Sequence, residues 1–222
     1  MSTAPKTPEK KEAALPASLP LFCVSSIILL PRTNLPLNVF EPHYLDMVSH
    51  ALGKARMIGL VQPKENKERQ PKPALYTVGC MGLITSFAET EDRRFLINLR
   101  GISRFKMIKE TPSHGSFRCA EIDWQPFDKD TEKPKKTAFE RARLMSLLRH
   151  YFDLQAIVTD WDILKNSSDE ELISSLCLSC PFEPSEKQAL LEAPTFLERV
   201  QTLMALLEMA CLRQNDGERA RH

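Results

Sequence analysis

The sequence predicts an α+β fold in which a β-rich half precedes a helical one. Two observations carry this. Between residues 19 and 124 the apolar side chains come in short runs bounded by Pro, Asn or Gly, the pattern of strands. Beyond residue 136 the spacing turns helical, and four helix starts share one capping pattern: Thr137 with Glu140, Ser168 with Glu171, Ser185 with Gln188, and Thr195 with Glu198. In that pattern a hydroxyl accepts from the amide three residues on, and the side chain there reaches back. Each match alone is weak. Four of them beside apolar periodic runs define a helical half.

Residues 1–17, rich in Pro, Ala, Lys and Glu and without periodicity, are expected as a disordered leader. Strands are expected at 27–30, 35–40, 57–61, 76–87, 94–100, 104–109 and 117–124. One helix interrupts them. Pro42 suits a first helical turn, and Tyr44, Leu45, Val48 and Leu52 follow as a single stripe. Residues 64–73 are charged and proline-bearing and read as an exposed loop. A polar linker, 128–136, divides the β-rich unit (18–127) from the helical one (137–212). The last helix lines up Leu197, Val200, Leu203, Met204, Leu207 and Cys211 on one face. Residues 213–222 hold no apolar anchor and are expected as a flexible tail.

Composition excludes some classes. Thirty basic against twenty-nine acidic side chains leave a net charge of +1, which gives no global pull towards nucleic acid or anionic membrane. The longest apolar stretch, 19–31, is too short to span a bilayer and contains Pro20, Ser25 and Ser26. As a signal peptide it fails on both flanks. Lys6, Lys10 and Lys11 are mixed with Glu9 and Glu12 ahead of it, and no small-x-small site follows. A cytoplasmic protein is expected. Six cysteines in a chain of this size need no disulfide frame. Cys23, Cys80, Cys119 and Cys211 stand in apolar runs, where a free thiol packs as a small hydrophobe.

Four segments stand out in order: LPLNVFEPHY from Leu35 to Tyr44, VGCMGLI with Gly79 and Gly82, INLRGISRF with Gly101, Arg104 and Phe105, and PFEPSEKQALLEAP at 181–194. Over about residues 18–212, with these motifs, the chain resembles the substrate-binding N-terminal domain of Lon-type ATP-dependent proteases, in its stand-alone bacterial form. The resemblance implies a PUA-like β pseudo-barrel followed by a C-terminal α-helical bundle. It also implies a peptidase S16-related role in protein quality control, as the part that binds protein substrates. Asn38, His43 and Cys23 depart from the residues common at those places.

The motif residues Leu35, Pro36, Leu37, Phe40, Glu41, Pro42, Tyr44, Gly79, Gly82, Gly101, Arg104 and Phe105 are expected mainly to build the fold. Pro36, lacking an N–H, suits a strand edge. Glu41 and Pro42 would set a carboxylate beside a helix N-terminus. Phe40 and Tyr44 would flank that turn and pack inward.

Chemistry is sparse. The only Gly-Lys pair, Gly53-Lys54, has no glycine five residues ahead of it, so no Walker loop is present. The Ser-Lys peptidase of Lon enzymes would need a further domain. Cys177 and Cys180 form a CxxC. They fall at the end of the helix begun by Ser168, where the dipole disfavours thiolate, and no second pair completes a zinc site. Core packing is the better reading. His43, His50, His114, His150 and His222 show no catalytic grouping, and His50 and His150 are expected on solvated helix faces. Asp160, Asp162, Asp169, Glu170 and Glu171 suit helix starts, and Trp161 reads as packing.

Arg93, Arg94, Arg100, Arg104, Lys106 and Lys109 lie near Phe95 and Phe105. This basic–aromatic stripe raises RNA binding as the alternative function, since PUA-like folds can bind RNA. Adjoining Glu89, Glu91 and Asp92 favour a solvated face instead. The expectation is a non-catalytic binder of unfolded or exposed apolar polypeptide segments, working with a protease or chaperone. It would have no cofactor, no metal and no membrane contact. The groove residues have no fixed spacing by which a sequence reveals them.

Overall fold

A computed structural model describes residues 15–64, 72–112, 115–132 and 137–219, with the backbone alone for 214–219. Six strands and one helix come first: β1 (Ser18–Cys23), β2 (Asn34–Val39), α1 (Pro42–Leu52), β3 (Met57–Val61), β4 (Val78–Glu89), β5 (Phe95–Thr111) and β6 (Arg118–Asp123). A 3-10 turn, Gln125–Thr131, leads to α2 (Arg141–Leu154), α3 (Trp161–Asn166), α4 (Asp169–Ser179), α5 (Pro184–Glu192) and α6 (Phe196–Arg219). The strand order is β2-β5-β4-β3-β1-β6, and β6 pairs with β5 as well, so the sheet closes on itself and leaves β2 outside the ring. Only β1–β3 is parallel among these pairings.

β5 explains the closure. Its 17 residues pair with β2 from Phe95 to Arg100, with β4 from Phe95 to Lys106 and with β6 from Lys106 to Thr111. The sequence predicts two strands here, 94–100 and 104–109. The structure makes one. At Gly101 another backbone crosses so closely that an added Cβ would lie 2.0 Å from the Leu30 carbonyl oxygen. That oxygen belongs to residues 27–30, which were expected as a strand and form no ladder. The segment crosses the sheet at Gly82 and Gly101 instead, with Ile28, Leu29 and Leu30 buried. A short apolar run bounded by turn residues is equally consistent with a buried crossing and a strand.

β1 lies where no strand was expected, β3 falls on its expected residues, the other strand ends shift by one or two residues, and the predicted helix after Pro42 is present as α1. Ser168 and Glu171 form the expected reciprocal cap of α4. So do Thr195 and Glu198 before α6, with amide-to-side-chain distances of 3.0 and 3.2 Å. The other two starts differ. α2 begins at Arg141, because the chain turns at Phe139, whose ring meets Phe196 at 6.0 Å. The reciprocal cap of α5 is made by Glu183 and Glu186 around Pro184, two residues ahead of the Ser185–Gln188 pair. α3 was not expected, and Asp160 caps it by accepting from the amides of Asp162 and Ile163.

Residues 1–14 of the expected leader and 65–71 of the expected loop lie outside the described residues. Residues 16 and 17 join the fold: the Trp124 indole donates to the Pro16 carbonyl at 2.9 Å, and the Ile122 amide donates to Ala17 at 3.0 Å. α6 continues as helix through Arg219, where a flexible tail was expected. Among the described residues no helix is long and apolar enough to cross a membrane.

One core runs through strands and helices alike, joining Leu29, Met47 and Leu99 to Leu148, Ile173, Leu190 and Leu203. A smaller core around Phe105, Leu21, Met81 and Ala120 fills the closed part of the sheet.

Candidate functional site

The end of β4, residues 85–89, is exposed beside β5 and β2, whose own ends at Phe95 and Val39 still pack on the core. Register pairs Leu37 with Ile97 and Val39 with Phe95 on one side of β5, and Phe87 with Ile97 and Glu89 with Phe95 on the other. Val39 and Ile97 are buried. Opposite Ile97, Phe87 is 41% exposed, and its ring meets that of half-buried Phe95 edge-on at 4.9 Å. Phe40, at the turn into α1, is 60% exposed, with the Arg94 guanidinium 6.0 Å over its ring. Leu96 shows on the opposite face at 45% exposure. Several large apolar side chains exposed together mark a contact surface.

The hairpin that carries them is tightly made. The Thr90 hydroxyl accepts from the Arg94 amide at 3.1 Å, and Arg93 turns the chain at a φ of 60°. Arg94 pairs with Asp92 at 2.7 Å. β2 pairs with β5 alone, so its outer edge has no sheet partner among the described residues, and Pro36 removes one donor from that edge.

Phe40 corrects an expectation. It was predicted to pack inward with Tyr44, but only Tyr44 does. The Tyr44 hydroxyl donates to the Cys23 carbonyl at 2.6 Å, and its ring meets Phe22 at 4.4 Å. Burial raises the phenol's pKa above its ordinary value, so it remains a donor. With Tyr44 in the inner place, the preceding turn leaves Phe40 outside.

The other motif residues are spread through the molecule. Leu35 and Leu37 are half-buried against the core, and Pro36 is exposed. Glu41 is the N-cap residue of α1 without a side-chain cap bond, its carboxylate 3.6 Å from His43, and Pro42 opens the helix. A Cβ at Gly79 would come within 2.6 Å of the Leu60 carbonyl oxygen. Phe105 is buried in the smaller core.

Arg104 is 4% exposed and joins the two halves. Its Nε and Nη2 donate to Asp130 at 2.8 and 2.9 Å, and its Nη1 donates to the carbonyls of Leu191 and Ala193 at 3.0 and 2.6 Å. Its guanidinium also lies 4.4 Å from the Phe127 ring centroid. The predicted basic–aromatic stripe is thereby split: Arg104 and Phe105 face inward, Arg94 pairs with Asp92, and Lys109 pairs with Glu121 at 3.2 Å.

Cys177 and Cys180 are buried at the end of α4, where burial pushes both thiols up to about 12. No cluster of three or more His, Cys, Asp or Glu side chains able to hold a metal ion occurs among the described residues. His150 is exposed on α2. His50 differs from expectation: it is half-buried, 5.2 Å from the Phe117 ring, and lines a pocket. His114 and His222 lie outside the described residues. Trp161 packs on Phe152 at 5.7 Å and under Arg149.

These features define a mixed α/β domain whose conspicuous surface is apolar and aromatic. A sequence model of the ATP-dependent protease La (LON) substrate-binding domain matches residues 18–209, and the chain belongs to that family. Among curated relatives, Lon protease 2 of Bdellovibrio bacteriovorus is 26% identical over 206 residues, covering 90% of this chain and 25% of its own length. The Lon protease of Parabacteroides distasonis is 26% identical over 200 residues, covering 86% and 24%. The chain thus spans about a quarter of the length of these relatives.

Solved structures agree on the fold. A Lon N-terminal domain protein from Xanthomonas campestris superposes with a TM-score of 0.56 at 23% identity, over 85% of this chain and 97% of that one. The N-terminal domain of the Mycobacterium avium complex Lon protease gives 0.59 at 15% identity, over 86% and 98%.

Proposed function

We propose that this protein is a non-catalytic binding module that holds exposed apolar segments of unfolded polypeptides, as an adaptor or holdase in cytoplasmic protein quality control. In this reading residues 18–127 form a PUA-like subdomain and 137–212 a helical bundle. The observation that carries the proposal is the exposure of Phe40 and of Phe87, the latter against half-buried Phe95, near the unpaired edge of β2, in a member of a substrate-binding family.

The physical case is simple. Each large apolar side chain of a client that leaves water against this surface contributes on the order of 1.5–3 kcal/mol. Such contacts ask for no particular sequence, which suits a binder of many clients. The edge of β2 offers backbone groups to an extended segment, the mode by which strands are added to sheets. Pro36 limits that pairing and discourages the edge from pairing with other copies of itself.

The test is fluorescence anisotropy with a labelled, permanently unfolded polypeptide, comparing the natural protein with Phe40→Ser and Phe87→Ser. Both residues are exposed, so thermal unfolding is expected to change little. Affinity is expected to fall about tenfold in the double variant, as for residues central to an interface. Equal affinity of natural and variant protein would remove this surface from the function.

A further inference from the structure

A second surface shares no residue with the aromatic one. A pocket of about 270 Å³ opens between the end of α1, the start of β1 and the junction of β5 with β6. Its wall is divided between polar and apolar surface, with Leu19, Pro20, Ala51, Met57 and Phe117 among the lining residues. Leu19, Ala51 and Phe117 are buried and belong to the cores, so this wall is fixed by packing. The volume lies just below the ~300–1,000 Å³ typical of sites for drug-sized ligands, which suits one apolar side chain with its terminal group.

The pocket lining holds one imidazole and one ammonium. His50 and Lys54 line it, and no carboxylate does so among the described residues. Lys54 is exposed and makes no ion pair among the described residues. Glu121, the sheet partner of pocket-lining Ser18, is paired with Lys109 at 3.2 Å. Asp46 lies one turn before His50. Its carboxylate accepts from the Ser116 amide and hydroxyl, each at 3.0 Å, and these bonds hold it below the usual carboxylate range. The end of a helix would ordinarily repel an anion. Here the Ser49 and Ala51 carbonyls are already taken up by the amides of Gly53, Lys54 and Arg56. A ligand matching this pocket is an apolar group that carries a carboxylate.

We propose that the pocket binds the C-terminal residue of a polypeptide, with an apolar side chain against Leu19, Met57 and Phe117 and the carboxylate against His50 and Lys54. The proposal rests on the polypeptide-binding reading and gives it a direction: clients would be engaged at a free end as well as along an extended segment. A carboxylate is recognised here by charge-assisted hydrogen bonds, which a C-terminal amide cannot replace.

The experiment measures anisotropy of two labelled ten-residue peptides ending in Leu, one a free acid and one a C-terminal amide. Natural protein is compared with His50→Ala, Lys54→Glu and Phe87→Ser. The free acid is expected to bind at least about tenfold more tightly than the amide. Lys54→Glu is expected to abolish that preference without changing thermal unfolding, and Phe87→Ser to leave it in place. N-acetyl-leucine is expected to displace the acid peptide more effectively than octanoate.

Equal binding of acid and amide, with loss in Phe87→Ser, would overturn the pocket assignment and leave the polypeptide-binding reading intact. Stronger displacement by octanoate would overturn it in favour of a free aliphatic acid. Binding of unfolded polypeptide but of neither peptide would likewise overturn it. Failure to bind any polypeptide would remove the broader reading too.

Discussion

Arg104 shows how a single residue decides the relation of strand to helix. Its guanidinium is buried among Asp130, two carbonyls at the end of α5 and the Phe127 ring. Removing one partner of a buried ion pair leaves the other charge uncompensated, so Arg104→Ala is expected to cost about 3–5 kcal/mol by urea denaturation. The sequence placed Arg104 in a family motif without showing its burial, because nothing local tells an inward arginine from a solvated one. The same limit applies to Phe40, which reads as core and is exposed.

Cys177 and Cys180 were easier, since helix position and apolar neighbours agree. Their ordinary thiol value of 9.0 is raised to about 12 by burial, so the folded state keeps protons that the unfolded chain releases. The stability this contributes is complete below pH 9 and is lost as pH rises from 9 towards 12. At pH 8 a thiol reagent is therefore expected to leave both unreacted until denaturant is added. Rapid labelling of the native protein would contradict their burial.

At the scale of elements, helix starts were legible where a hydroxyl and a carboxylate stood three apart and nothing else competed. Ser168→Ala is expected to cost about 1 kcal/mol, read from the urea midpoint, because the Glu171 amide loses its acceptor. At 137–140 the Phe139–Phe196 contact competed, and at 183–188 a glutamate took the place of the hydroxyl.

Strands were legible as apolar runs, but their continuity was not. The first of the two expected strands stops at Arg100, while the structure continues β5 through Gly101, where only a glycine lets the Leu30 carbonyl cross. Gly101→Ala puts a methyl against that backbone, and a loss of about 1–3 kcal/mol is expected from the same denaturation series. No pattern in residues 27–30 distinguishes a strand from a buried crossing. Only the partner segment decides it.

At the scale of the molecule, strands and helices act as one body because they share a core and polar ties. Gln62 donates to the Pro184 carbonyl and to Gln188, at 3.0 and 3.1 Å, and Gln188 donates to the Val78 carbonyl at 3.0 Å. The predicted order of strands and then helices was legible in the change of periodicity. The candidate surface was not. Phe87 and Leu96 read as strand residues like those of the core, and they are exposed where the end of β4, residues 85–89, is uncovered, while Phe95 is half-buried against the core.

The measurement that tests the central claim most directly is cross-linking mass spectrometry of the protein with an unfolded polypeptide. A photoreactive residue would replace Phe87 in one sample and exposed His150 in the other. The account predicts cross-links to apolar client segments from position 87, few from position 150, and none from either when the client is folded. Equal cross-linking from the two positions, or equal capture of folded and unfolded client, would contradict it.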